Sequence, residues 1–250
     1  MDWIECFESE LEIIPSLCDA SGQLGYPDTF ALFMDIAAQH AQRVGLGFHA
    51  MAQRELFWLT VKTQLRFLAR PRIMESVRLR TWPEAPGRMR GNRSYALIRG
   101  NEVLIQGKTE WAVFDTKSHE LVPMKQVYPD GVSFDLPPAC PGPFAKIPDH
   151  FEDGAFLGAY CVRSTDIDVG GHMNNAAYVR AMFGFFSVEQ VQSLKIDRMD
   201  INFRKPCYEG DTLRLDRRKS VEGTDLRFTR NGETAVLARI VPKALPGSVL

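Results

Sequence analysis

The sequence predicts an α+β protein made of two similar units in tandem, each a helix followed by antiparallel strands. Three observations predict it. The order strand, helix, four strands occurs twice along the chain. A Pro-rich stretch separates the two occurrences. A short sequence echo relates one half to the other.

In the first half, Glu8 to Ile14 partly alternates polar and apolar residues, which is a strand signal. Ser21 to Pro27 holds two glycines and a proline and reads as a loop, after which Asp28 can cap a helix. Phe30, Phe33, Met34, Ala37, Ala41 and Val44 follow at helical spacing up to Gly45. Strands are expected over 57–68, 75–82, 92–99 and 102–114, broken by turn residues at Pro83, Pro86-Gly87, Gly100-Asn101 and Asp115-Thr116.

Residues 123–148 hold seven prolines, too dense for a helix or an interior strand, so this stretch reads as an extended linker. The second half then repeats the order. A short strand is expected at 159–163, a helix at 175–187 and strands near 196–204, 211–219, 224–230 and 233–241. Asn231-Gly232 between the last two is a hairpin signal. Phe67 and Glu75-Ser76-Val77-Arg78-Leu79 echo Phe203 and Asp211-Thr212-Leu213-Arg214-Leu215, with twelve residues from Phe to Leu in both copies. Duplication of one unit explains this. The expected organisation is an N-terminal unit at 1–122, a linker at 123–158 and a C-terminal unit at 159–250.

Composition narrows the function classes. Hydrophobic residues are 45% and charged residues 24% of the chain, which suits a globular protein with a sizeable core. No apolar run is long enough to span a membrane. The start MDWIECFESELE lacks the basic residues and apolar stretch of a signal peptide, so a cytoplasmic protein is expected. The five cysteines are scattered with no CxxC pair, which argues against a disulfide framework or zinc site. Residues 1–30 carry seven acids and no Lys or Arg, whereas residues 62–108 carry eleven bases and three acids. Two readings follow for the basic segment. Its charges decorate outward strand faces, or Arg66, Arg70, Arg72, Arg78, Arg80, Arg88, Arg90 and Arg93 dock an acidic partner. The bases are not interleaved with aromatics, so no nucleic-acid partner is expected.

The residues most able to carry chemistry are Asp166-Ile167-Asp168-Val169-Gly170-Gly171-His172-Met173-Asn174-Asn175, just before the second helix. Asp168 and His172 lie four apart across a glycine pair, and a carboxylate and an imidazole so placed can act as general base and acid. Gly170 and Gly171 allow close backbone approach, and N–H groups at the helix start could hold an oxyanion. Asn174 or Asn175 can cap the helix. A glycine-containing Asp loop is also an ordinary turn, so the residues alone leave both roles open. Asp166, Asp168 and His172 find no further ligand to complete a metal site, and no metal is expected.

The same stretch, with Tyr178 three residues after Asn175, resembles the active-site segment of acyl-ACP thioesterases. Phe30-Ala31-Leu32-Phe33-Met34-Asp35-Ile36-Ala37-Ala38-Gln39-His40-Ala41 resembles that family's N-terminal helix. Trp58-Leu59-Thr60, Arg80-Thr81-Trp82 and Glu110-Trp111-Ala112-Val113-Phe114-Asp115 resemble the strands that follow. The resemblance runs from about residue 7 to residue 242. It implies a double hotdog fold whose halves pair as a pseudo-dimer within one chain, hydrolysis of fatty acyl-ACP in fatty acid biosynthesis, no cofactor, and acyl carrier protein as partner. A homodimer is compatible with it.

Carried over by position, Asp168 and His172 fall on the family's catalytic Asp and His. Two departures stand out. Plant members have an Asn two residues before the His, where this chain has Gly170. They also have a catalytic Glu before a Cys on the next strand, where this chain has Pro206 before Cys207. Gly170, Gly171, Asn174 and Asn175 remain as backbone support, with Cys207 and Tyr178 as wall residues. Phe30, Phe33, Met34, Met182 and Phe183 are candidates for an acyl tunnel in the helix–sheet layer. An acyl-CoA thioesterase, a non-hydrolytic acyl-binding protein and a hotdog dehydratase are the competing readings.

Overall fold

The computed structural model describes residues 3–244. The chain divides into two compact units between Gly142 and Pro143, inside the Pro-rich stretch. The first unit contains β1 (Phe7–Glu12), α1 (Tyr26–Arg43), α2 (Phe48–Gln53), β2 (Leu56–Phe67), β3 (Ser76–Pro83), β4 (Gly91–Arg99), β5 (Glu102–Asp115) and β6 (Leu121–Val122). Its sheet runs β1-β3-β4-β5-β2 with β6 paired on β5, and each of these pairings is antiparallel.

Helix α1 begins two residues before the expected cap. Gly25 is the N-cap, Pro27 sits in the first turn where no N–H is needed, and Asp28 lies at the positive end of the helix. A Cβ on Gly25 would stand 2.1 Å from Asp28 Oδ2, so glycine lets the carboxylate fold back over the helix start. Phe30, Phe33, Ile36, Ala37 and His40 form the buried stripe, while Met34 is half-buried. Phe33 stacks on Tyr95 of β4 with ring centroids 5.0 Å apart. A Cβ at Gly107 of β5 would come within 2.9 Å of Phe33, so that glycine makes room for the helix. Burying each such Phe contributes about 1.5–3 kcal/mol.

His40 is fully buried, and its Nδ1 accepts from Arg93 at 2.8 Å while Nε2 lies 2.6 Å from the Ile4 carbonyl. That pattern assigns the neutral tautomer protonated at Nε2. Burial, then the Arg93 charge, pushes the His40 pKa down from 6.5 to about 4. A depressed histidine pKa means that the unfolded chain takes up the proton first. The contribution of His40 to stability is therefore present above pH 6.5 and is lost as pH falls towards 4. The full loss is on the order of 3 kcal/mol. His40→Gln should flatten this part of the pH dependence; urea unfolding of both proteins at neutral and acid pH measures the difference.

The charge asymmetry of the first unit is largely neutralised within it. Asp19 pairs with Arg70, whose guanidinium also covers the Tyr26 ring at 4.3 Å. Glu8 takes Arg80 at 2.6 Å and Arg78 at 3.5 Å. Arg90 reaches Glu110 at 3.4 Å. Of the eight arginines expected to face a partner, four thus serve internal ion pairs, and Arg93 is held on His40. Arg66, Arg72 and Arg88 are exposed and make no ion pair among the described residues.

The second unit contains β7 (Ala155–Cys161), α3 (Asn175–Phe183), α4 (Val188–Ser193), β8 (Ile196–Phe203), β9 (Thr212–Lys219), β10 (Thr224–Arg230) and β11 (Glu233–Pro242). Its sheet runs β8-β11-β10-β9-β7, antiparallel throughout. Three expectations shift. Strand β7 starts four residues earlier than expected. The helix expected to reach residue 187 stops at Phe183, with Gly184 as its C-cap. Ser187 instead opens α4 through a reciprocal cap with Gln190. At the β10–β11 hairpin, Asn231 and Gly232 take φ of 51° and 80°, the turn their dipeptide announced. The sequence echo also has a structural meaning. Phe67 and Phe203 end β2 and β8, and Leu79 and Leu215 are the fourth residues of β3 and β9.

Helix α3 packs on its sheet through Tyr178, whose ring lies 6.0 Å from Phe203 of β8 and 6.4 Å from Phe228 of β10. Each unit is thus a helix over an antiparallel sheet, the hotdog arrangement. Among the described residues no helix is long and apolar enough to cross a membrane.

Candidate active site

The loop between β7 and α3 is held by backbone bonds to itself. A 3-10 turn at Ser164–Asp166 leads into a tight loop closed by a bridge between Ile167 and Met173. Asp168 N–H donates to the His172 carbonyl at 3.0 Å, and Gly171 N–H donates back to the Asp168 carbonyl at 3.0 Å. Gly171 sits at φ +76°, a left-handed conformation that favours glycine. Gly170 is not among the glycines held at positive φ.

Asp166 anchors the loop on both sides. Its carboxylate accepts from the Arg163 N–H and the Tyr160 hydroxyl, each at 2.8 Å, and its carbonyl accepts from Asn174 N–H at 2.8 Å. The choice of helix cap is settled in favour of Asn174, whose Oδ1 accepts from Ala176 N–H at 2.8 Å. Asn175 is then the first residue of α3. Its N–H makes no hydrogen bond among the described residues and lies at the positive end of the helix.

Asp168 and His172 meet on this scaffold. His172 Nδ1 lies 3.6 Å from Asp168 Oδ1, and the two side chains are 27% and 24% exposed. That separation is too long for a direct hydrogen bond but close enough for proton exchange through a small shift or a water. Asp168 Oδ1 also accepts from Gly170 N–H at 2.8 Å, which fixes the carboxylate. Gly170 and Gly171 therefore spend their N–H groups on Asp168 itself. The Asn175 N–H at the helix start has no such partner among the described residues.

Cys207 lies in the connection between β8 and β9 rather than on a strand, and Pro206 beside it is exposed. The Cys207 carbonyl accepts from Met173 N–H at 2.7 Å, which ties this connection to the residue after His172. Its side chain is fully buried, and burial pushes the thiol pKa up. A buried thiol kept protonated is a poor nucleophile. Tyr178 is buried too; its hydroxyl has no partner in hydrogen-bonding geometry, and the Cys207 thiol is its polar neighbour. Burial, together with that neighbour, drives the Tyr178 pKa far up. Cys207→Ala should leave kcat within about threefold of wild type, because the thiol only packs; a loss beyond a hundredfold in steady-state hydrolysis would give it a chemical role.

The tunnel candidates fall in both helix–sheet layers. Phe30 and Phe33 are buried on α1, and Met182 and Phe183 are buried on α3. A cavity of about 250 Å³ lined by Leu194, Ile196, Lys219 and Ile240 opens elsewhere in the second unit, away from Asp168 and His172. Among the described residues no three His, Cys, Asp or Glu side chains gather as a metal site. Sequence reasoning weighed Asp166 only as a ligand. Its anchoring role needed Tyr160, whose contribution from the preceding strand no spacing rule reveals.

Comparison with known proteins places this geometry in context. The family model described as the acyl-ACP thioesterase N-terminal domain matches residues 5–130, and that of the C-terminal domain matches residues 152–241. An oleoyl-acyl carrier protein thioesterase of Coriandrum sativum chloroplasts is 22% identical over 203 residues, covering 73% of this chain and 54% of the relative. The chain thus spans about half the length of the curated relatives it matches. The crystal structure of an acyl-ACP thioesterase from Bacteroides thetaiotaomicron superposes with a TM-score of 0.84 at 19% identity, covering 96% of this chain and 98% of the other. A 12:0-ACP thioesterase from Umbellularia californica superposes with a TM-score of 0.79 at 18% identity, covering 97% and 100%. These likenesses establish the double hotdog fold.

Proposed function

This chain belongs to the acyl-ACP thioesterase family, and we propose that it hydrolyses fatty acyl-ACP thioesters to free fatty acid and carrier protein, in fatty acid biosynthesis. The observation that carries this reading is the Asp168–His172 pair, 3.6 Å apart at the start of α3.

The chemistry follows from the positions. A water beside Asp168 gives a proton to the carboxylate as its oxygen adds to the thioester carbon. The carbonyl oxygen takes up negative charge, which the Asn175 N–H and the positive end of α3 favour. Collapse of this intermediate breaks the C–S bond, and His172 gives a proton to the departing sulfur. A proton then passes from Asp168 to His172 and restores both groups. Gly170, where plant members carry Asn, fixes Asp168 through its backbone N–H. Two side chains and the loop backbone thus do the work of the larger plant-type site. The buried residues of α3, Met182 and Phe183 among them, line the layer that would receive the acyl chain.

Gly170 and Pro206 favour a second reading, a protein that binds acyl groups without hydrolysing them. A panel of acyl-ACP and acyl-CoA thioesters of varied chain length, followed by free-thiol release, separates the readings. Turnover with a preference for acyl-ACP supports the first. Preference for acyl-CoA assigns the other carrier, and binding without turnover supports the second reading.

A further inference from the structure

The cavity of about 250 Å³ in the second unit has a chemistry of its own and lies apart from the catalytic loop. The two sit at opposite ends of β9. The catalytic loop leaves β7 beside the start of β9, where Cys161 pairs with Thr212 and Val162 N–H donates to the Asp211 carbonyl at 2.9 Å. Lys219, which lines the cavity, is the last residue of β9, about 23 Å further along the strand.

Sheet register builds the cavity at that end. Thr224 opens β10 and stands between Lys219 of β9 and Ile240 of β11. Ile196 opens β8 opposite Pro242. The turn from β9 to β10 closes on itself, with Ser220 N–H donating to the Gly223 carbonyl at 2.8 Å. A Cβ on Gly223 would stand 2.1 Å from the Ile240 carbonyl oxygen, so glycine lets the turn settle against β11. Lys195, just before β8, is tied to the end of β11 by Lys243 N–H, which donates to its carbonyl at 2.6 Å.

The lining divides by chemistry. Leu194, Ile196, Ile240 and Pro242 supply an apolar wall, and Lys195 and Lys219 supply charge. Both lysines are exposed, so their apolar stems extend the wall while the ammonium groups stay in water at its rim. Among the described residues no acidic side chain lines the cavity, in a chain with 31 acids against 30 Lys and Arg. Glu222 of the adjoining turn is taken by Arg198 and Arg239, each at 3.1 Å. An apolar wall with two cations at its mouth suits an alkyl chain with one anionic head. Volume limits the chain. A dry cavity of about 150 Å³ takes benzene, and drug-sized ligands fill about 300–1,000 Å³, so this one suits a chain of about eight carbons.

We infer that this cavity binds a medium-chain fatty carboxylate, at a site separate from the catalytic loop. The inference goes beyond the hydrolase reading and does not depend on it. Where that reading holds, the ligand belongs to the class of the reaction's product and binds here without occupying the catalytic loop.

The test follows the δ1 methyl signals of Ile196 and Ile240 in the whole chain by NMR, during titration with octanoate, 1-octanol and acetate. Octanoate should shift both signals to saturation. The double variant Lys195→Gln/Lys219→Gln should weaken octanoate by about tenfold, the loss of charge-assisted contacts, and leave octanol binding as it was. Acetate, which has the charge without the chain, should move neither signal over the same range. Thr224→Phe, which fills the cavity, should abolish the octanoate shifts. Signals that octanoate leaves in place overturn the inference, as does equal octanoate affinity in the wild type and the lysine variant. Acetate as effective as octanoate also overturns it, because the lysines would then hold any small anion. The readout needs no turnover, so failure of the hydrolase reading leaves this test intact.

Discussion

Asp168→Asn should lower kcat by about 10²–10⁴, the range for losing a positioned general base. The substitution keeps the shape of the side chain, and the amide oxygen can still accept from Gly170 N–H, so the loop should stay folded. His172→Ala should lower kcat by a comparable factor with acyl binding nearly intact. The double variant should be scarcely worse than either single one, because the two groups act as a unit in one proton cycle. Additive losses would mean that the two side chains do not share one proton cycle. Full activity in Asp168→Asn would place the active site elsewhere.

The largest effect on stability is expected from Asp225→Ala in the second unit. Asp225 is fully buried and holds two arginines. Arg239 Nε and Nη2 reach its two oxygens at 2.6 and 3.0 Å, and Arg218 Nη2 donates at 2.8 Å. Burial raises the Asp225 pKa, but the bonds to Arg239 and Arg218 outweigh it and the net shift is downward. Removing the carboxylate leaves a nearly buried Arg239 with Glu222, at 3.1 Å, as its remaining ion pair among the described residues. Breaking such a cluster costs about 3–5 kcal/mol, read as a lower midpoint in urea unfolding at neutral pH. Because the folded pKa is depressed, this contribution is present above the ordinary aspartate pKa and is lost as pH falls through the folded value. Arg239→Met paired with Asp225→Leu should recover much of the loss, since apolar packing costs no desolvation. No recovery would assign the loss to altered packing.

Most of the fold was legible in the sequence because strand alternation and turn residues are local signals. Asn231-Gly232 marked its hairpin, and Phe30, Phe33 and Ala37 marked the buried face of α1. What was not legible was either a fine choice between neighbouring local signals or a contact distant in sequence. Pro27 pulled the start of α1 ahead of Asp28, and Gly184 with the Ser187 cap cut α3 short. The arginines of residues 62–108 looked like a free basic surface, yet Glu8 and Asp19 consume several of them across the sheet. Sequence separation of about fifty residues or more hides such pairs.

The candidate site divides in the same way. The spacing of Asp168 and His172 across two glycines was readable, as was the helix that follows. The spending of the Gly170 and Gly171 N–H groups on Asp168 was not, because loop dihedrals decide it. Nor was the bond from the Met173 N–H to the Cys207 carbonyl, which ties together two connections distant in sequence.

Hydrolysis at the Asp168–His172 loop is tested most directly by product analysis. The protein is incubated with a fatty acyl-ACP, and free fatty acid and carrier thiol are quantified over time. The expected result is equimolar release of both products, many equivalents per protein molecule, falling to a small residue in Asp168→Asn. Acyl-ACP that stays bound with its thioester intact, or release that is unchanged by Asp168→Asn, would contradict it.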